Sequence, residues 1–303
     1  MMRIVNSLVT GWQNTGARLA VLIVIIQALG LRAGWSQEPV QPRINEEFRE
    51  QEKIYRSRGT DGRRVYTTDR GLSQYTEFLP SDFCDALGRL SSSDRWLDIG
   101  AGEGQAILDY YAPEDAAAPA VKCRGSGPRA RAVAISIEDR RADNWKQQAA
   151  RLGDDRIRYL FGKRLRQYSP EELGRFQIIT DVYGGFTYTE DLSQFVDTVL
   201  KLLEVDGSFY TLATGVHLED GKDKLGTLYL TELEDAFGRN VKVCSWLKKI
   251  SCVQVTCESK NNLKTPTELI KIRKVCSDTS VPRMKLLEFE AGYPPGRCFQ
   301  LDQ

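Results

Sequence analysis

Trp96-Leu97-Asp98-Ile99-Gly100-Ala101-Gly102-Glu103-Gly104 joins an apolar run, closed by an acid, to three glycines on alternate positions. Glycine tolerates φ > 0 and has no Cβ, so a chain leaving a buried strand can turn sharply here and bring backbone N–H groups against a ligand. Gln105 to Tyr111 follows as a short helix with its N-terminus aimed at the same turn. Strand, glycine turn and helix together make a nucleotide-binding edge. The competing reading is that the glycines serve only close strand–helix packing.

The spacing narrows the ligand. Dinucleotide sites use G-x-G-x-x-G with a pyrophosphate on the helix N-terminus, whereas this chain has G-x-G-x-G with Asp98 two residues before its first glycine. A carboxylate there repels a pyrophosphate but attracts the sulfonium and ammonium of S-adenosylmethionine. No Gly-Lys-Ser/Thr follows, so the phosphate-loop pattern fails too.

At these residues the chain resembles the class I S-adenosylmethionine-dependent methyltransferases. The resemblance implies an α/β fold: a Rossmann-like seven-stranded sheet with a C-terminal antiparallel hairpin and an N-terminal helical extension. The later segments follow in order from about residue 94 to 275. Arg131 to Glu138 reads as a second strand ending in an acid, the position that the family uses to hold the ribose hydroxyls; Asp139 to Leu152 reads as a helix. Arg156 to Gly162 is a third strand, although Lys163 stands where the family often has Asp or Asn for the adenine amine. Phe176 to Asp181 is the fourth, running into Val182-Tyr183-Gly184-Gly185, the edge expected to face the methyl group. Asp98, Glu138 and Asp181 are thus expected to converge on one crevice. Leu192 to Leu203 is an amphipathic helix, Glu204 to Leu212 a turn and fifth strand, and Cys252–Cys257 with Glu268–Val275 the closing hairpin. The resemblance implies S-adenosyl-L-methionine as cofactor, held by Asp98, Gly100, Gly102, Gly104, Glu138, Gly162 and Asp181.

Methyl transfer asks mainly for positioning and exclusion of water, with a general base where the acceptor carries a proton. Asp181 and Tyr183 are the expected catalytic residues, with Tyr188 and Glu190 as further candidates. The Asn-Pro-Pro-Tyr signature of amide and adenine-amine methylation is replaced by Asp181-Val182-Tyr183-Gly184, so that acceptor is not inferred. The acceptor is left open between a small molecule and a protein. Two other functions remain: a noncatalytic adenosyl-ligand-binding protein, and an aminopropyltransferase, which would want further acids at the acceptor edge.

With 42 basic and 41 acidic residues in 303, the chain carries a formal charge of +1 and shows no basic stripe, so no nucleic-acid partner is expected. The single histidine, His217, follows the fifth strand and reads as a loop residue. Cys244, Cys252, Cys257, Cys276 and Cys298 form no Cys-x-x-Cys pair, and no metal site is expected. Ala112 to Arg129, rich in Ala, Gly and Pro, reads as an insertion loop.

Arg3 and Arg18 precede the apolar run Leu19 to Leu31, and no acid appears before Glu38. The pattern resembles a secretory signal and is short for a membrane span. Export or membrane targeting through this segment, with membrane contact, is the favoured reading; a cytoplasmic enzyme is the alternative. Export predicts paired cysteines, with at least one of the seven left over. The expected organisation is 1–36 as signal or anchor, 37–90 as the helical extension, 91–280 as the S-adenosylmethionine-binding domain and 281–303 as a tail.

Overall fold

The computed structural model describes residues 40–57, 60, 69–112, 123, 128–153, 155–214, 231–260, 267–292 and 295–302. The leader segment, His217, most of the 112–129 loop and the hairpin turn at Asn261, Asn262 and Pro266 lie outside the described residues. Among those described, no helix is long and apolar enough to cross a membrane.

Helix α1 (Val40–Arg56) opens the described chain, with Ile44, Phe48, Gln51 and Tyr55 recurring on one face. Two short helices, α2 (Leu72–Phe78) and α3 (Phe83–Gly88), lead into β1 (Arg95–Ile99). The alternation then runs α4 (Gln105–Tyr111), β2 (Arg131–Ile135), α5 (Asp143–Leu152), β3 (Ile157–Leu160), α6 (Pro170–Leu173), β4 (Phe176–Asp181), α7 (Gly185–Tyr188), α8 (Leu192–Leu202) and β5 (Leu203–Thr214). After β6 (Thr231–Glu234) and α9 (Val243–Leu247) come β7 (Val253–Lys260), β8 (Thr267–Lys274), β9 (Met284–Glu290) and β10 (Gly296–Leu301).

Seven strands form one sheet in the order β3-β2-β1-β4-β5-β8-β7. β1 to β5 pair in parallel, β8 runs antiparallel to β5, and β7 runs antiparallel to β8. The strand period of two sends Leu97 and Ile99 to one face and Trp96 to the other, so each face builds its own core. On the first face Phe195, Val196 and Val199 of α8 pack with Phe176, Ile179 and Phe209. Asp191 starts α8 by accepting the Gln194 N–H at 2.8 Å, and Leu192, Phe195, Val196, Val199 and Leu200 supply its buried stripe. On the second face Leu72 and Tyr75 of α2 and Phe83 of α3 pack with Trp96, Ala134 and Tyr210.

Three readings are corrected. The helix expected from Asp139 starts at Asp143, because Asp139 is tied instead to the Arg141 guanidinium at 2.8 and 2.7 Å in a turn. In the sequence, Leu79 to Leu87 reads as a helix begun by Ser81; the helix begins at Phe83, and Asp82 beside it spends its carboxylate on Lys271 and the Tyr210 hydroxyl. The stretch 281–303 contains β9 and β10, which with β6 make a second sheet in the order β6-β10-β9. The side chains of β10 alternate in and out over only six residues and those of β9 do not alternate regularly, a weak sequence signal.

Six cysteines are paired: Cys84–Cys123, Cys244–Cys257 and Cys252–Cys276, with sequence separations of 39, 13 and 24; Cys298 is free. Cross-links closing loops of this size stabilise by about 3 kcal/mol each through the unfolded chain. Reduction under native conditions is therefore expected to lower Tm by more than about 10 °C, read by differential scanning calorimetry with and without reductant.

Candidate active site

The order of the sheet sets where a ligand can bind. From β1 the chain crosses to β2 and β3 on one side, and then to β4 and β5 on the other, so a crevice opens at the carboxyl ends of β1 and β4. A cavity of about 430 Å³ lies there. Gly100 and Gly102 from the β1 turn, Ser136, Ile137 and Glu138 after β2, Gly162 and Lys163 after β3, and Tyr183 and Gly184 after β4 line it. Phe48, Gln51 and Tyr55 of α1, Tyr188 of α7 and Phe289 of β9 supply further walls.

The glycine turn is built by hydrogen bonds to its neighbours. Gly100 donates its N–H to the Ile135 carbonyl at 2.9 Å, and Gly104 to Ala101 at 2.8 Å. Gly100 adopts φ +73°, and a Cβ on it would stand 2.5 Å from the Gly184 Cα, so the turns after β1 and β4 touch backbone to backbone. Gly104 has φ +90°, and its Cβ would strike the Trp145 ring at 2.4 Å. The third glycine thus serves packing of α4 against α5 and is absent from the cavity lining, while Gly102, at φ +59°, lines it. Gly162 (φ +86°) would place a Cβ in open space, so only its backbone angle asks for glycine.

Asp98 and Asp181 are placed differently from the expectation. Both are fully buried below the crevice and neither lines it. Asp98 shares Trp96's face of the sheet, where its carboxylate accepts the Tyr75 hydroxyl at 2.9 Å on both oxygens and the Thr180 hydroxyl at 2.7 Å. Thr180 in turn accepts the Trp96 indole N–H at 2.8 Å. Asp181 accepts the backbone N–H of Gly184 at 2.8 Å and of Phe186 at 2.9 Å, which fixes the turn into α7. It holds the loop, and no cavity-facing proton acceptor comes from it. Glu138 alone of the three acids lines the cavity, with the Arg140 guanidinium 4.0 Å away.

Tyr183, by contrast, stands on the cavity with φ +56°, a backbone angle that a bulky residue adopts only when its surroundings force it. Asp181's two backbone hydrogen bonds supply that force. The Arg70 guanidinium lies 4.7 Å from the centre of the Tyr183 ring, and Phe78 meets the ring edge-on at 5.5 Å. Tyr188 sets its ring 5.6 Å from Tyr55. Glu190 lines the cavity but is ion-paired with Arg164 at 3.3 Å and with Arg166. Lys163 pairs with Glu172 at 2.8 Å.

Several lining residues carry no sequence motif. Ser136 and Ile137 stand directly after β2, and Ile137 leaves large apolar surface exposed at the strand end. Gln51 and Phe289 come from opposite ends of the chain, which no local pattern connects. Behind the wall, the fully buried Arg297 donates to the Thr189 carbonyl at 2.7 Å and to the Thr231 hydroxyl, tying the second sheet to the loop after α7. Burial pulls its guanidinium down to about 10.

The sheet decides the architecture: one strand, β8, next to last in the order, opposes the six others, which are parallel to one another. This is the class I methyltransferase fold. No protein-family model matches the chain, and no curated protein matches it. Among solved structures, the chain is similar to the 1,6-didemethyltoxoflavin N1-methyltransferase of Burkholderia thailandensis, at 15% identity over 90% of this chain and 94% of the other, with a TM-score of 0.42. It is similar also to the N-methyltransferase NodS of Bradyrhizobium japonicum, at 14% identity over 68% and 97% of the two chains, with a TM-score of 0.40. The YcgJ protein of Bacillus subtilis matches at 14% over 63% and 99%, with a TM-score of 0.39.

Burial raises Asp98 and Asp181 to about 7 and Asp69, beside the start of α4, to about 6. A carboxyl whose folded pKa exceeds its unfolded value near 4 binds more protons when folded, so its stabilisation is full below pH 4 and is lost as pH rises through 6 to 7. Tm is accordingly expected to fall from pH 5.5 to pH 7.5, and Asp98→Asn to flatten that fall. Scanning calorimetry of both proteins checks this; a profile that Asp98→Asn leaves unchanged contradicts the burial of an ionisable Asp98.

Proposed function

We propose that this protein binds S-adenosylmethionine in the crevice at the β1–β4 switch point and transfers its methyl group to an acceptor by direct in-line displacement. The observation that carries the reading is the set of surfaces meeting there: the Cβ-free turn at Gly100 and Gly102, the Glu138 carboxylate, and the apolar Ile137. These suit an adenosyl group, since a carboxylate accepts two hydroxyls, a glycine backbone admits close approach, and exposed apolar side chains pack on a flat base. Gly100, Gly102, Glu138 and Gly162 would hold the cofactor, while Asp98 and Asp181 keep the turns in shape from below.

Bound there, the cofactor supplies an electrophilic methyl group that needs no covalent help from the protein. The chain's own work is orientation and exclusion of water. Tyr183, held in a strained backbone by the Asp181 bonds, presents its ring to the cavity, and Tyr188 and Tyr55 present theirs. The polyamine acceptor of an aminopropyltransferase fits less well, because Glu190 is already paired with two arginines and Asp181 is committed to backbone N–H groups.

For location we propose maturation in an oxidising compartment, reached through the apolar leader. The three disulfides support this reading, since such bonds persist mainly outside the cytosol.

Calorimetric titration of the disulfide-bonded protein with S-adenosylmethionine and S-adenosylhomocysteine tests the cofactor assignment; saturable binding is expected. Gly102→Val places a branched side chain against the ligand, and Glu138→Ala removes the hydroxyl acceptor. The valine variant is expected to abolish binding and the alanine variant to weaken it by about tenfold or more, the loss of a charged hydrogen bond. Wild-type affinity in both variants sinks the assignment.

A further inference from the structure

The far wall of the cavity contains a buried donor with no acceptor among the described residues. Gln51 is 4% exposed, and its Oε1 accepts the Gly292 N–H at 2.9 Å, which fixes the orientation of the amide. The Nε2 group is then turned away from that bond, and it has no hydrogen-bond partner among the described residues. A buried amide left in this state is costly, and a structure tolerates it where a ligand completes it.

The surroundings of Gln51 define what completes it. Phe48, Gln51 and Tyr55 stand at i, i+3 and i+7 on α1 and therefore share one face, and all three line the cavity. Opposite them, Phe289 packs on Phe48 with ring centres 4.5 Å apart, and Tyr188 meets Tyr55 edge-on at 5.6 Å. The Ala291 N–H donates to Glu47 at 2.8 Å, so α1 is clamped to the turn between β9 and β10 at two successive residues, Ala291 and Gly292. Aromatic walls with a fixed N–H donor between them suit a flat ring that carries an oxygen. Among the charged lining residues, Arg70 lies over Tyr183 with no carboxylate paired to it among the described residues, a setting that favours a neutral or anionic ring over a cationic one.

We infer that Phe48, Tyr55, Tyr188 and Phe289 form an acceptor subsite for an aromatic molecule, and that Gln51 selects it by donating Nε2–H to a ring-borne carbonyl, carboxylate or phenolic oxygen. This rests on the cofactor reading above for its place in the reaction, and on the α1 and β9 contacts for its chemistry. The sequence separation of about 240 residues between Gln51 and its Gly292 anchor makes it a product of the tertiary fold.

The test uses the full disulfide-bonded chain saturated with S-adenosylhomocysteine. Binding of 4-hydroxybenzoate and of cyclohexanecarboxylate, the same acid group without the aromatic ring, is measured by ligand-observed NMR. The aromatic probe is expected to bind at least about tenfold more tightly. Gln51→Glu keeps the acceptor for Gly292 but replaces the donor by a carboxylate, and is expected to weaken that probe by about tenfold or more while S-adenosylhomocysteine affinity stays within about twofold. Tyr55→Leu removes one wall without touching the Gly292 bond, and is expected to weaken the same probe if Gln51→Glu does not fold. Equal binding of the two probes, no binding of either, or wild-type probe affinity in a folded Gln51→Glu overturns the subsite. Loss of S-adenosylhomocysteine binding in the wild type, with probe binding retained, overturns the cofactor reading and leaves the subsite standing.

Discussion

Two carboxylates buried at the ends of neighbouring central strands hold up the crevice. Asp98 on β1 gathers Tyr75 from α2 and Thr180 from β4, and Thr180 brings in Trp96. Asp181 on β4 gathers the two backbone N–H groups that shape the turn into α7. Burial makes each hydrogen bond electrostatically stronger and each unsatisfied oxygen costly, so the geometry above them is specified tightly. The close contact of Gly100 with Gly184, the strained Tyr183 and the placement of α7 all follow from this pair.

The walls of the cavity answer to a different constraint. A glycine turn and strand tips make an open edge, which needs walls from elsewhere in the chain to become a cavity. Here closure comes from elements at opposite ends of the chain: α1 contributes Phe48, Gln51 and Tyr55, and β9 contributes Phe289. Arg297 fastens β10 to the loop after α7, and the Gln51–Gly292 and Glu47–Ala291 bonds fasten α1 to the β9–β10 turn. The second sheet is thus both a structural brace and part of the site.

The parallel strands were legible because each is a short apolar run closed by a polar residue and a turn, and burial on both faces of a parallel sheet demands such runs. The amphipathic spacing of Leu192, Phe195, Val196 and Val199 exposed α8 in the same way. The strands β9 and β10 were missed for the converse reason: Lys285, Glu288, Arg297 and Gln300 interrupt them, and a small half-exposed sheet leaves only a weak alternation. The start of α5 was misplaced because the local pull of Arg141 on Asp139 outweighed helix propensity.

The amino-acid sequence by itself determined the parallel strands, the glycine turn and the closing hairpin, since each is a local run with its own period and composition, and it implied the sheet order only through the family resemblance that those runs carry. It also marked Gly102, Glu138 and Tyr183, which stand on the cavity. Only the tertiary structure decided that Asp98, Gly104 and Asp181 lie behind that surface. A strand-end acid reads the same in sequence whether its carboxylate meets a ligand or a neighbouring hydroxyl, and a glycine reads the same whether it spares a ligand or the Trp145 ring. The aromatic wall and Gln51 belong to the same class, for they depend on contacts between residues some 240 positions apart, where no periodicity in the chain carries the information.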